Sequence, residues 1–394
     1  MDEACFERLA SNADAPEELF EHFETATFDG RTYHPLPSGR HGVERGTVVI
    51  PAVDEESADS GGGSVRASAD DAAVIVRGYP SVPRVLVVDP GLPAFFEDDD
   101  RVVVEEKLDG YNVRVARVDG RAWAFTRSGY ACPYATWRAR ERLDLEGFFD
   151  DHPDLCLCAE LIGTETPYTT HDYETVDGDA LRVFDLRQRE TGDPLPYRVR
   201  REHCETYGFP TPRTFGVHDP ADAPGVVVDA IADLDASGRE GVVAKATERD
   251  AMVKYTTERE HHAELAHAFS LPFEYGRDFV FSRVAREAFQ AVEFDEDDDR
   301  LRERSHSLGE AILEPMVETI RAVDAGEPVG EHKTVRGDPE VLDALLAHLR
   351  DQSITLDVRR DETTDDERVV EFLKRSAATR DQIGYYLAGG TWSN

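Results

Sequence analysis

RVVVEEKLDGYNVRVARVDGRAWAFTRSG, residues 101–129, decides how the chain is read. RVVVEEKL (101–108) alternates as a strand that places Lys107 at its end. Gly110 then permits a tight turn. YNVRVARV (111–118) alternates strictly, with Val113, Val115 and Val118 at the apolar positions. Asp119-Gly120 is a two-residue hairpin turn of the type that needs positive φ at both positions. RAWAFTRSG (121–129) is the return strand. The stretch therefore predicts three strands, the last two joined as a hairpin, with a lysine at the end of the first. Asp109 and Asn112 point back near that lysine.

The lysine stands out because lysine is scarce. The chain holds 44 Lys+Arg in 394 residues, and only five of them are lysine. Three of the five are Lys107, Lys245 in EGVVAK (240–245) and Lys254 in MVKYTT (252–257). Arginine can hold a phosphate, but it stays protonated and is a poor nucleophile. Lysine can lose its proton and attack phosphorus. The pattern suggests a covalent lysine enzyme in which Lys245 and Lys254 clamp phosphate.

Composition bounds the rest. The length allows two to four domains, and 40% hydrophobic residues supply a sizeable core. No run approaches the roughly 20 apolar residues that span a bilayer. The N-terminal MDEACFERLASNADAPEEL is acidic and lacks a basic-then-apolar leader, so a cytoplasmic protein with no membrane partner is expected. Cys5, Cys132, Cys156, Cys158 and Cys204 are too few and too scattered for a disulfide framework. Cys156 and Cys158 share one face of a strand. Without a second cysteine pair or a histidine cluster, they read as core packing rather than a metal site.

The net charge of −37 argues on its face against nucleic acid. Yet the acidic residues are spread along the whole chain, and arginine carries almost all the positive charge. That is the composition of a halophilic protein from a high-salt cytoplasm. At molar salt the Debye length is about 3 Å, so diffuse repulsion is largely screened, and counterion release weakens. Contacts to nucleic acid would then be short-range: arginine forks, metal bridges and stacking. Regular apolar periodicity argues against disorder.

Along the chain, residues 15–28 show helical spacing through Leu19, Phe20, Phe23 and Phe28. GTVVIPAV (46–53) and AAVIVRGYP (72–80) read as strands, and the Gly/Ser/Asp-rich 54–71 as a flexible surface loop. Residues 1–88 form a small N-terminal α+β module. Residues 89–258 form an α+β domain of mainly antiparallel strands, including 154–163, 180–187, 241–246 and 251–256, with helices at 135–149, 198–208 and 226–237. Every motif falls at or near a strand end. Helix-like spacing at 259–270, 277–294, 300–325, 339–350 and 366–379 predicts a helical C-terminal half, divided into 259–326 and 327–394. EFDEDDDR (293–300) reads as a solvated turn. Leu265, Phe269, Phe273, Phe279, Phe281 and Phe289 form either a core or a subunit interface.

KLDGYN (107–112), FTRSG (125–129), AELIG (159–163), RVFDLR (182–187), REGVVAK (239–245) and MVKYT (252–256) resemble motifs I, Ia, III, IIIa, IV and V of the covalent nucleotidyltransferase superfamily, in order and approximate spacing. That superfamily comprises ATP-dependent DNA and RNA ligases and mRNA capping enzymes. EEKLDGYNVRV (105–115), AELIGTETPY (159–168) and the domain order resemble the archaeal homodimeric ATP-dependent RNA ligases.

The resemblance implies an adenylation domain, ATP with Mg²⁺ or Mn²⁺, and RNA carrying 5′-phosphate and 3′-hydroxyl ends. It implies three steps: adenylylation of Lys107, AMP transfer to a 5′-phosphate, and attack by a 3′-hydroxyl. Lys245 and Lys254 would contact the α-phosphate. Glu106 would help read adenine, and Phe184 would stack on it. Asp109 and Asn112 would position ribose and the terminal hydroxyl. Arg127 would hold ribose or the RNA 5′-phosphate. Glu160 would bind a ribose hydroxyl or metal-bound water, and Glu240 would orient the metal ion and its waters. Taken alone, Arg127 reads as a surface arginine and Phe184 as a core aromatic. A homodimer through the segment near 260–325 is expected.

The chain also departs from the pattern. Thr256 stands where many members carry a second motif V lysine, and no sixth motif is evident. Its absence favours an RNA ligase over a DNA ligase or capping enzyme. An inactive RNA- or nucleotide-binding scaffold is the alternative of another class. It is opposed by retention of all but one of the charged motif residues.

Overall fold

A computed structural model describes residues 1, 3–9, 12–52, 73–364 and 367–392; the loop expected at 54–71 lies outside them. The chain forms two compact units from discontinuous segments. The first comprises Met1–Ser81, Gly110–Leu161 and Ala180–Thr211, and the second comprises Val82–Asp109, Ile162–Asp179 and Pro212–Asn394. KLDGYN is therefore divided: Lys107 belongs to the second unit and Asn112 to the first.

The first unit carries two four-stranded sheets. One runs in chain order through Ala26–Phe28, Arg31–Pro35, Val48–Ile50 and Val74–Val76, antiparallel throughout. Its apolar side packs Leu36, Val49 and Ile75 with Cys5, Leu9 and Leu19. The other has the order Arg121–Thr126, Tyr111–Val118, Leu155–Gly163, Asp179–Gln188. Its first two strands are the expected hairpin, with Asp119 and Gly120 at φ of 48° and 78°. All five cysteines are buried and unbridged, as packing requires. The helical reading of 15–28 is corrected: the helix is Pro16–Phe20, and Phe28 ends a strand.

The second unit holds the sheet that matters for chemistry, in the order Thr214–His218, Val102–Lys107, Gly241–Ala246, Met252–Thr256, all antiparallel. Val102, Val104, Val242, Ala244, Val253 and Tyr255 pack on one side against Val227, Ala230, Ile231 and Leu234 of helix Ala223–Ala236. Each such buried aliphatic side chain is worth about 1.5–3 kcal/mol. That face is therefore fixed as core, and strand alternation sends the intervening residues to the other face. Helices Glu258–Ser270, Arg277–Glu293 and Asp298–Asp324 follow.

The helical reading of the C-terminal portion is corrected. Gly330–Gly337, Glu367–Arg375 and Leu356–Thr364 form a three-stranded antiparallel sheet in that order, accompanied by helices Pro339–Asp351 and Ala377–Leu387. Residues 367–375 (ERVVEFLKR) bury Val370, Phe372 and Leu373. A short apolar cluster of this kind fits either period, and pairing with two neighbouring strands decides it. Among the described residues, no helix is long and apolar enough to cross a membrane.

Candidate active site

Strand register gathers the three motif lysines. Lys107 lies opposite Gly241, Glu105 opposite Val243, and Val103 opposite Lys245. Val243 is in turn opposite Lys254. Directly opposed residues share a face, so Lys107, Lys245 and Lys254 lie on one side of the sheet, away from the valine core. Gly241 has φ of 149°, and a Cβ there would meet the Tyr255 carbonyl oxygen at 2.3 Å. Glycine lets the strands close directly across from Lys107.

Lys107 and Lys245 each meet an acid. Lys107 Nζ lies 2.5 Å from both carboxylate oxygens of Glu240. Lys245 Nζ lies 2.9 Å from Glu105, which is 3% exposed. Glu240 is held in place by the next helix. Thr257 accepts the Glu260 N–H at 3.3 Å as its N-cap, and its hydroxyl donates to the Arg239 carbonyl at 2.8 Å. Burial raises the Glu240 carboxyl above the ordinary carboxylate range, against the pull of Lys107.

Burial, with Glu240 and Asp109, pushes Glu260 up to about 10. A carboxyl raised in the folded state costs stability as pH climbs from the unfolded value near 4.5 toward the folded one. The slope is about 1.4 kcal/mol per pH unit. Glu260→Gln is therefore expected to gain on wild type in melting temperature steadily from about pH 5 to about pH 9. A pH-independent offset in thermal melts would remove Glu260 as the cause.

The turn after Lys107 is pinned by residues that sequence reasoning missed. Asp109 N–H donates to the Tyr173 hydroxyl at 2.7 Å, and its carboxylate lies 3.1 Å from His171 Nδ1. The hydrogen bond to Asp109 raises the His171 pKa. The Arg239 guanidinium covers the Tyr173 ring at 4.0 Å. No period or motif marks 169–178, so nothing in the sequence pointed to His171 or Tyr173. Glu106 alternates onto the other face, and its backbone N–H is bonded to the Arg213 carbonyl at 2.8 Å.

The remaining expected site residues belong to the first unit. Asn112 and Glu160 are direct cross-strand partners. The Asn112 side-chain oxygen is buried and accepts no hydrogen bond; a buried acceptor of this kind calls for a donor. Phe184 is half-buried and edge-on to Tyr79, with centroids 5.2 Å apart. Arg127 is exposed, and the neighbouring Ser128 hydroxyl accepts from Arg45 at 2.6 Å. Arg45 is a second cation that the motifs did not indicate.

The chemistry of the donor set around Lys107 suits a divalent cation. Glu240 offers a buried carboxylate whose ionised form burial disfavours, and hard cations such as Mg²⁺ take one or two carboxylates and keep their waters. Glu258, His262 and Glu287 also bring ligand atoms within 4.8 Å of one another. There, however, Arg304 already supplies the cation, 3.0 Å from Glu258 and 2.6 Å from Glu287. That group is an ion network joining helices.

A family model described as RNA ligase matches residues 100–256, and one described as Ligase Pab1020 C-terminal region matches 267–390. The protein of Methanocaldococcus jannaschii called Uncharacterized protein MJ0414 is 37% identical over 361 residues, covering 89% of this chain and 86% of its own length. A solved structure described as an archaeal ATP-dependent RNA ligase, form 2, is 37% identical. It superposes with a TM-score of 0.86 over 98% of both chains. A solved structure from Aquifex aeolicus, described as a candidate ATP-dependent DNA ligase, shares the fold at a TM-score of 0.83 and 24% identity, over 96% of this chain and 98% of its own. With its lysine face, its motif order and these likenesses over nearly the full length, the chain belongs to the archaeal ATP-dependent RNA ligase family.

Proposed function

We propose that the protein joins 5′-phosphate and 3′-hydroxyl ends of single-stranded RNA through lysyl-AMP and 5′-adenylylated RNA. The observation that carries this reading is the common sheet face of Lys107, Lys245 and Lys254. In the first step the neutral Lys107 amine attacks the ATP α-phosphorus. An N–P bond forms, the bond to pyrophosphate breaks, and the amine proton leaves to solvent. Lys107 is the nucleophile, and Lys245 and Lys254 set positive charge against the α-phosphate as it gains negative charge. Glu240 must release Lys107 before attack, and its carboxylate would hold the divalent ion. A Mg²⁺ or Mn²⁺ ion would neutralise charge on the triphosphate.

Asn112, with its unmet acceptor, receives a ribose hydroxyl, and Glu160, its cross-strand partner, would receive another or a water of the divalent ion. Phe184 offers its ring to adenine, and Glu106 helps read the base. Arg127 holds ribose or the RNA 5′-phosphate. The −37 charge fits operation in concentrated salt. The test is incubation with [α-³²P]ATP in molar KCl, followed by 5′-phosphorylated RNA or DNA. Label should pass from protein to RNA and then be released as the ends join. Joining of DNA alone, or labelling by GTP, would favour the other superfamily activities. An unlabelled wild type would favour the scaffold.

We further propose a homodimer through the helices near 260–325. Phe281, Phe289 and Val292 share one face of helix Arg277–Glu293 and are 67%, 46% and 81% exposed. Contiguous apolar exposure of this kind marks an interaction surface. Light scattering is expected to give twice the 44.0 kDa chain mass, and a monomer mass at high salt would overturn the proposal.

A further inference from the structure

The lysine face carries an arginine at its edge. Residues 83–85 run beside Met252–Thr256: the Lys254 N–H donates to the Pro83 carbonyl at 2.9 Å, and the Val85 N–H donates to the Lys254 carbonyl at 3.2 Å. Arg84 is in parallel register with Lys254 and so shares its side of the sheet. The Arg84 guanidinium donates to the Thr256 hydroxyl, at the position where the resembling motif has its second lysine. Arg84 Nε is buried and has no hydrogen-bond partner. Arg84, Thr256, His261 and Arg286 line one small pocket.

Two further guanidinium groups come from helix Arg277–Glu293. Arg283 and Arg286 are each 13% exposed in their side chains. Arg283 donates to Glu264 at 3.0 and 2.6 Å, and Arg286 donates to the same carboxylate at 2.9 Å. Three arginines against one bonded carboxylate leave a surplus of two positive charges (3 − 1 = 2).

The neighbouring groups do not cancel this surplus. His261 is held neutral by burial, and its ring nitrogens meet Thr256 and Glu287. Glu287 is committed to Arg304 at 2.6 Å and Glu240 to Lys107 at 2.5 Å. Burial, with Glu240 and Asp109, raises the Glu260 carboxyl. Burial lowers Arg84 to about 10, which leaves it charged at neutral pH. Burying three guanidinium groups against a single bonded carboxylate is costly, and in a chain of net charge −37 the unbalanced patch is positive. A bound anion resolves both facts.

We propose that Arg84, Arg283 and Arg286 form an anion site that takes a phosphate group, either the β,γ end of ATP or a phosphate of the RNA strand. The site supplies, from the adjoining segment and helix, the positive charge that Thr256 does not. Only the source of the phosphate rests on the ligase reading. The fork of a guanidinium matches phosphate oxygens in pairs, which suits a contact that must survive screening by salt.

The test is calorimetric titration of full-length wild type, Arg84→Gln and Arg286→Gln with inorganic pyrophosphate and, separately, with a short 5′-phosphorylated RNA. Loss of one charge-assisted fork should raise the dissociation constant about 10- to 100-fold. Thr256→Lys in the Arg84→Gln background should recover much of it. Weakening of pyrophosphate alone assigns the site to the ATP end, and weakening of RNA alone assigns it to the strand. Equal affinities of wild type and both variants for both probes overturn the site. Circular dichroism checks folding. If Arg84→Gln does not fold, Arg84→Lys, which keeps the charge and loses the fork, should show a smaller but measurable weakening; wild-type affinity for both probes would overturn the site. A wild type that binds pyrophosphate but takes no label from ATP sinks the ligase reading and leaves the anion site standing. A labelling wild type with unaffected variants does the reverse.

Discussion

Lys107→Ala is expected to abolish labelling by [α-³²P]ATP, a loss on the order of 10⁴-fold or more, because removing a covalent nucleophile leaves no alternative route to the intermediate. Lys107→Arg should be equally inactive: it keeps the positive charge opposite Glu240 but stays protonated. That pair of variants separates charge from nucleophilicity. Both should still join RNA that already carries a 5′-AMP, since that step needs no free lysine. Lys107→Ala also leaves the Glu240 carboxylate buried without its cation. Removing one partner of a buried pair costs about 3–5 kcal/mol. Here the cost should shrink at acid pH, because burial already raises the Glu240 carboxyl and protonation removes the unpaired charge. Wild-type labelling of Lys107→Ala in a denaturing gel would end the nucleophile assignment.

What could be read in advance followed a physical rule. Lys107, Lys245 and Lys254 were legible because strand alternation and lysine scarcity are both one-dimensional signals. The register then placed the three on one face. The hairpin at Asp119-Gly120 was legible because positive φ restricts residue choice. Residues 367–375 were misread because a buried short strand and a helix segment can share one apolar pattern, and only pairing partners distinguish them. His171, Tyr173 and Arg84 were invisible for a different reason. Each acts through a contact with a residue far away in sequence: Asp109 for the first two and Thr256 for the third. In a chain rich in arginine, nothing local separates Arg84 from the other arginines.

Glu240→Gln is expected to lower lysyl-AMP formation about 10²- to 10³-fold, the scale seen when one electrostatic contributor to a transition state is removed, while leaving the fold intact. The glutamine is isosteric and can still accept from Lys107, whose ammonium lies 2.5 Å from the present carboxylate. It cannot supply the anion that a divalent cation needs. Stability should move the other way. Burial raises the Glu240 carboxyl, so in wild type this group costs stability as pH rises above the unfolded value near 4.5. The glutamine carries no such cost, and the variant should melt at or above wild type at neutral pH. Activity and stability are thereby separated: a merely structural Glu240 would give a variant that melts lower and labels in proportion to its folded fraction. A functional Glu240 gives a well-folded protein whose labelling rate needs a higher Mn²⁺ or Mg²⁺ concentration to reach half its maximum. Unchanged labelling with an unchanged metal dependence would reduce Glu240 to a counter-ion for Lys107, and the metal would then have to be held elsewhere.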